Sequence, residues 1–276
     1  MKIGFGKSDI TPRVGVQLAG FGPFRNRHSN GVRDNLWARA IAFEQNGEKV
    51  IIVSCDLTGI VLDTTEDVRA MVSNQTGIDP GAIMLACTHT HSAPSTGTYI
   101  GWGEADVPYM ETLPARIAQA CVDAFNHLDE AELSHAEVPC EGIAVNREYD
   151  QPFNHGKPIE HFLTDEWRPD KPDLTETTCH VLKATRDGEI IWFISYFACH
   201  PVVCCEETFK IHGDFPGVAT NKLEAKYPGS IGLFLQGSLG DVNSCVAHYP
   251  EEASMRALEI LSDRFAAAVQ NGIEKA

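Results

Sequence analysis

The chain has 276 residues, 43% of them hydrophobic and 22% charged, a balance that suits one globular domain with a sizeable core. Its 38 acidic residues against 22 basic ones give a formal charge of -16, which argues against nucleic acid or an anionic membrane surface as a partner, since both need a basic face. No run reaches the roughly 20 apolar residues that a bilayer span requires. Met1 to Phe5 lacks the long apolar stretch of a signal peptide, so a cytoplasmic protein with no membrane insertion is expected.

The first clear element is a hairpin. Leu36 to Phe43 reads as one strand and Val50 to Cys55 as its return, with Gln45-Asn46-Gly47 as the turn. Asn-Gly between apolar runs is a strong hairpin signal. Val61 to Ser73 reads as an amphipathic helix capped by Asp63 or Thr64 and stopped at Gly77 to Gly81. Ala82 to Cys87 is a short continuous apolar run, expected as a strand buried on both faces.

A loop rich in Gly, Ser and Thr runs on to about Asp106. Tyr109 to His127 reads as a long helix, kinked or started afresh at Pro114. A strand from Glu132 to Val138 follows. Residues 149–176 show no clear period and read as a long surface loop. A second hairpin spans Thr178 to Ala198 and turns at Asp187-Gly188. Phe215 to Lys226 is a short helix, Ile231 to Leu235 a buried strand, and Pro250 to Val269 a closing helix.

Nine cysteines, an odd number with no Cys-x-x-Cys pair, read as reduced and mostly buried thiols. The competing reading makes Cys204 or Cys205 a metal ligand.

Three polar clusters each follow directly on an apolar strand: His89 with His91, His200, and Gly240-Asp241. Ligands in open α/β sheets gather beyond strand ends, so one site assembled from all three is expected. On a continuing strand, His89 and His91 point to the same side. Neutral imidazoles suit zinc, which draws ligands from distant positions. The competing reading makes both structural residues that cap a turn. His212, twelve residues after His200, is a candidate to complete three protein ligands around an open zinc.

Asp56, Asp214 and Asp241 could ligate or orient an imidazole. For Asp214 an N-cap role is the simpler account. Arg33, Arg39 and Arg147 could hold a substrate carbonyl or carboxylate. Arg39 has Asp34 nearby for a salt bridge, and Arg147 is the better substrate contact.

The segments Gly6-Lys7-Ser8-Asp9-Ile10-Thr11-Pro12, Thr88-His89-Thr90-His91-Ser92-Ala93-Pro94, His200-Pro201 and Gly240-Asp241-Val242-Asn243 resemble, in order and spacing, the N-terminal domain of neutral/alkaline non-lysosomal ceramidases. The resemblance covers Ile3 to about Asn243. It implies a zinc amidase that cleaves the amide of a sphingolipid. It further implies His89 and His200 as zinc ligands, His91 as a polarising or substrate-binding imidazole, and Arg147 as a substrate contact.

The chain departs from that family twice. In the family a Ser follows Gly-Asp-Val and is the proposed nucleophile; here the position is Asn243, with Ser244 one residue later. The nucleophile role does not transfer across that offset. Asn243 is expected instead to donate a hydrogen bond to a developing oxyanion, with a zinc-activated water of pKa near ~7 as the attacking group. The family also completes its zinc shell with a Glu and a Tyr far downstream, whereas this sequence ends at Ala276. Either the chain is a fragment or other ligands serve; His212, His91, Asp56 and Asp214 are the candidates.

The expected fold is α/β: mixed β-sheets in layers flanked by helices, in a single ceramidase-like domain over residues 1–276. The expected function is zinc-dependent hydrolysis of an acyl C–N or C–O bond in a small soluble amide, ester or lactone. His89, His200 and His212 are expected on the metal, and His91, Asn243, Asp241 and Arg147 in catalysis. The alternatives are a non-catalytic metal- or ligand-binding relative and a true lipid amidase, which needs an apolar trench. Whether the chain forms a homo-oligomer is left open.

Overall fold

The computed structural model describes residues 1–22, 26–149 and 157–276. The chain opens with β1 (Lys2–Asp9), β2 (Gly31–Val32), β3 (Trp37–Gln45) and β4 (Glu48–Cys55). Then come α1 (Leu62–Thr76), β5 (Ile83–Cys87), α2 (Val107–Asn126), β6 (Asp129–Glu130), β7 (Glu132–Pro139) and β8 (Ala144–Asn146). The second half holds α3 (Glu160–Leu163), β9 (Thr178–Arg186), β10 (Glu189–Phe197), β11 (Lys210–Ile211) and α4 (Asp214–Lys226). It closes with β12 (Ile231–Gln236), β13 (Val242–Ser244) and α5 (Glu251–Lys275).

Both expected hairpins form, and for the expected reason. Asn46 and Gly47 have φ of 55° and 87°, and Asp187 and Gly188 have φ of 53° and 82°. Two successive left-handed residues make the tight turn whose twist matches the flanking strands. The turns pair Gln45 with Glu48 and Arg186 with Glu189.

Five strands form one sheet in the order β5-β4-β3-β1-β6, and four form another in the order β12-β10-β9-β7. Most pairs are antiparallel; β4 with β5 and β10 with β12 are parallel. The result is the expected mixed α/β fold. The sheets pack face to face through Ile3 and Ile41 on one side and Ala184, Trp192, Ile194 and Leu233 on the other. Trp192 is fully buried and meets Phe43 edge to face at 5.9 Å. Removing a core aromatic of this kind costs about 3–5 kcal/mol.

Helices cover the outer faces. The small residues Ala38, Ala40 and Ala42 of β3 pack with Ile117, Ala120 and Ala124 of α2. Gly6 lets that helix approach the sheet backbone, since a Cβ there would lie 2.2 Å from the Ala120 carbonyl oxygen. The glycine of the opening motif therefore serves packing. On the opposite side, α4 and α5 cover the second sheet through Phe215, Val218, Leu261 and Phe265. Four layers result, helix–sheet–sheet–helix.

Several expectations change. β5 is an edge strand, not a doubly buried one, and Met84 is 43% exposed. α1 carries no side-chain cap at its start, and it ends on Gly77 in the left-handed region. α2 continues through Pro114 as one helix. Residues 149–176 lie partly outside the described residues. The described part is no simple surface loop: Ile159, Phe162 and Trp167 are buried, and Arg264 donates to the carbonyls of Phe162, Leu163 and Thr164. All nine cysteines are free; eight are buried and Cys87 is half-buried.

Candidate functional site

The site lies where the chain leaves β5 and β10. Just past β5, the Thr88 and His89 N–H groups donate to the Cys55 and Leu57 carbonyls at 2.9 Å each. The strand does not continue as expected. His89 takes φ of 66°, a left-handed conformation that costs an L-residue on the order of 1–2 kcal/mol and that clusters at functional sites. The turn brings the His89 ring over the segment after β4, where Nδ1–H donates to the Thr58 carbonyl at 2.7 Å.

His200 follows β10. Its N–H donates to the Val242 carbonyl at 3.0 Å, and its residue bridges to Asn243. Its ring Nδ1–H donates to the Leu239 carbonyl at 3.2 Å. A ring whose Nδ1 carries the proton offers its Nε2 lone pair. Two remote rings are thus fixed with lone pairs available.

His91 completes a trio. The ring centroids lie 4.8 Å apart for His89 and His200, 5.0 Å for His91 and His200, and 5.1 Å for His89 and His91. One ligating nitrogen from each ring lies within 4.8 Å of the other two. The His91 ring packs edge-on to Phe21 at 4.9 Å, and its Nδ1 has no partner among the described residues. Gly20 backs this ring, and a Cβ there would lie 2.3 Å from His91 Nδ1.

Burial holds all three rings neutral. Desolvation lowers the His89 pKa, against a smaller opposing effect of the Thr58 hydrogen bond. Desolvation and then the His200, His89, Arg27 and Arg147 charges push His91 well below its ordinary value. Desolvation, His89 and Arg147 take His200 down to about 4. Neutral nitrogens converging on one point fit a zinc-class cation, and three imidazoles leave a fourth position open.

The trio forms one wall of a cavity of about 350 Å³. Its apolar lining residues are Phe21, Tyr99, Trp102 and Val202, and its polar ones include Thr58, Arg147, Asn243 and His248. Arg147 Nη2 donates to the Gly240 carbonyl at 2.5 Å. Asn243 is 2% exposed, and its Oδ1 has no partner among the described residues. His248 is exposed, with its Nδ1 2.9 Å from Glu206 Oε2.

Other candidates are placed elsewhere. Asp241 does not line the cavity; its carboxylate accepts from Asn146 Nδ2 at 3.1 Å and its carbonyl from the Arg147 N–H at 2.8 Å. His212 is fully buried and groups with Cys204 and Asp214, not with the trio. Its Nδ1 accepts the Asp214 N–H at 3.0 Å, so the proton sits on Nε2 and neither nitrogen offers a free lone pair. The Asp214 carboxylate accepts backbone N–H groups from Val203, Cys204 and Phe215.

Asp56 is taken by the Trp37 N–H and by Arg39, which also pairs with Glu224 at 2.9 Å. Arg39 is thus in an internal salt bridge, though not with Asp34. Arg33 pairs with Asp34 and Glu259.

Sequence reasoning missed the aromatic wall, His248 and Arg27. Arg27 is 2% exposed and donates to the carbonyls of Ala19, His91 and Thr208, tying the histidine loop down. Aromatic residues flanked by glycine, as in Gly20-Phe21-Gly22 and Gly101-Trp102-Gly103, were the available signal.

No helix among the described residues is long and apolar enough to cross a membrane. A family model described as neutral/alkaline non-lysosomal ceramidase, N-terminal, matches residues 1–253. A neutral ceramidase from Pseudomonas aeruginosa is 33% identical over 98 residues, covering 34% of this chain and 14% of that protein.

The crystal structure of neutral ceramidase from Pseudomonas aeruginosa superposes with a TM-score of 0.83 at 20% identity, over 98% of this chain and 44% of that one. A second solved structure, a ceramidase complexed with C2, gives a TM-score of 0.79 at 21% identity, over 98% and 43%. At that identity the superpositions speak for the fold, and the chain spans less than half the length of these relatives. The match over residues 1–253 shows that the chain belongs to the neutral/alkaline non-lysosomal ceramidase family, in the part described as its N-terminal region.

Proposed function

We propose that this chain is a zinc-dependent hydrolase of an acyl C–N or C–O bond, acting on a small amide, ester or lactone with an apolar acyl part. The observation that carries the reading is the convergence of three neutral imidazoles on one point beside a cavity. His89 and His200 would hold the ion, since each ring is oriented by a backbone carbonyl at Nδ1 and keeps Nε2 for a ligand bond. His91 supplies the third nitrogen. A zinc ion held there supplies Lewis acidity, polarising the scissile carbonyl and acidifying the attacking water.

The other side chains bind and orient. Arg147 and Asn243 are polar residues lining the same cavity as Phe21 and Trp102. Asn243 Nδ2 donates to the Ser244 carbonyl at 3.5 Å while its Oδ1 has no partner among the described residues; turning the amide over gives up that contact and puts N–H donors where Oδ1 stands. In that orientation Asn243 steadies the negative charge that develops on the carbonyl oxygen. Asp241 acts at one remove, holding Asn146 and the Arg147 backbone in place.

A second reading, hydrolysis of a ceramide-like lipid amide, is favoured by the aromatic wall and by the exposed lip. Tyr99, which lines the cavity, is 44% exposed, and the next residue in the chain, Ile100, is 97% exposed. Metal analysis of the purified chain, followed by turnover of N-acyl amides and esters graded in acyl length, tests both. Stoichiometric zinc with turnover lost on chelation and regained on zinc return supports hydrolysis. Activity rising up to long acyl chains selects the lipid reading. A chain without bound metal, inert on the whole series, removes both.

A further inference from the structure

A second convergence of ligating groups lies on β7 and β9 of the four-stranded sheet, among residues that the hydrolase reading does not use. On β9, residues 180, 182 and 184 alternate onto the face that meets the first sheet: Ala184 is in the inter-sheet core and Leu182 packs against it. His180 continues that face past the apolar layer. The register sets Glu137 of β7 directly opposite His180, and Tyr196 of β10 opposite it on the other side. His135 precedes Glu137 by two residues on β7 and so shares the face. Strand pairing alone therefore gathers two imidazoles and a carboxylate.

The side chains follow. The His135 and His180 rings stack with centroids 5.7 Å apart and planes 14° from parallel. His180 Nδ1 lies 3.5 Å from Glu137 Oε1. Tyr196 packs edge-on to His180 at 5.7 Å, holding that ring from its far side. One ligating atom from each of His135, Glu137 and His180 lies within 4.8 Å of the others. Zinc bonds of ~2.0–2.1 Å at tetrahedral angles need ligand atoms about 3.3 Å apart. His135 and Glu137 are exposed, which leaves their side chains room to rotate toward that spacing.

We propose that His135, Glu137 and His180 form a second, surface site for a zinc-class divalent ion, which ties the edge strand β7 to β9 across their register. Two imidazoles and a carboxylate are a zinc donor set, and the exposed side leaves a position for water. An ion bound to the paired strands and not to the unfolded chain raises stability by mass action.

Zinc titration of the metal-stripped chain, read by competition with a chromophoric chelator, tests this. His135→Ala with His180→Ala should lower the number of zinc ions bound by one per chain. The count falls from two to one if the histidine trio also binds, and from one to none if it does not, so failure of the hydrolase reading is told apart. In a chain carrying His89→Ala and His200→Ala, adding His180→Ala should weaken the remaining zinc affinity at least tenfold and abolish the zinc-dependent rise in Tm. An unchanged count in the surface double variant, or an affinity altered less than twofold, overturns the proposal.

Discussion

The Nε2 atoms of His91 and His200 lie 3.2 Å apart, although 109 residues separate them and burial keeps both rings neutral. Lone pairs that close repel unless a proton or a cation stands between them. His200 has its Nδ1 proton committed to Leu239, so its Nε2 is an acceptor. If the third partner is a metal ion, His200→Ala and His89→Ala each remove a ligand. Zinc affinity should then fall more than about 100-fold, the range that loss of a supporting hydrogen bond alone can reach. Metal content after dialysis against a weak chelator measures it, and zinc kept at full stoichiometry in both variants would take the trio out of the metal site.

Asn243 tests the chemistry separately from the metal. Its side chain reaches the cavity while its backbone bridges to His200. Asn243→Ala should leave zinc content unchanged and lower kcat by on the order of 10²-fold, the usual cost of losing one oxyanion donor. KM should change little, because the bond strengthens only as charge develops. An unaltered kcat on a substrate that the parent turns over excludes the donor role.

Gly20 is a packing test of the same loop. Its φ is 90°, and a Cβ would meet His91 Nδ1, Cγ and Cβ at 2.3, 2.4 and 2.8 Å. Gly20→Ala therefore adds backbone strain of about 1 kcal/mol or more and displaces the His91 ring. Lower Tm together with weaker zinc binding is expected. The lower Tm with full zinc affinity would mean that His91 is not needed to hold the ion.

Much of this was legible from local chemistry. Asn46-Gly47 and Asp187-Gly188 dictate their turns, and each turn sets the register of a hairpin. His89 and His200 were visible because each follows an apolar strand. The edge position of β5 was not, because the apolar run Ile83–Cys87 looks the same whether one or two strands flank it. Nor was the direction of His212. The Thr90 hydroxyl donates to the His212 carbonyl and the His212 N–H donates to Ser92, so its backbone supports the histidine loop while its ring turns to Asp214. The aromatic wall comes from two loops that meet only in the folded chain.

That inward turn of His212 makes a prediction about acid stability. His212 is fully buried, and desolvation, then Arg33 and Arg27, lower its pKa from 6.5 to about 3. Between pH 6.5 and 4 the unfolded chain takes up a proton that the native chain refuses. Stability is lost on acidification over that window, by roughly 3 kcal/mol at pH 4. Asp214 works the other way. Desolvation outweighs its hydrogen bonds from Phe215, Cys204 and Val203, raising its pKa from 3.8 to about 6. From pH 6 to 4 the native chain holds a proton that the unfolded chain releases, a gain of similar size, roughly 3 kcal/mol. In the parent the two slopes offset. Asn tolerates the left-handed φ of 52° at position 214, and it retains an acceptor at position 212. Asp214→Asn should therefore lose stability faster than the parent as pH falls to 4, and His212→Asn more slowly. Urea unfolding at pH 4, 5, 6 and 7 measures both slopes. Two variants that run parallel to the parent would show that neither group titrates with a folded-state shift.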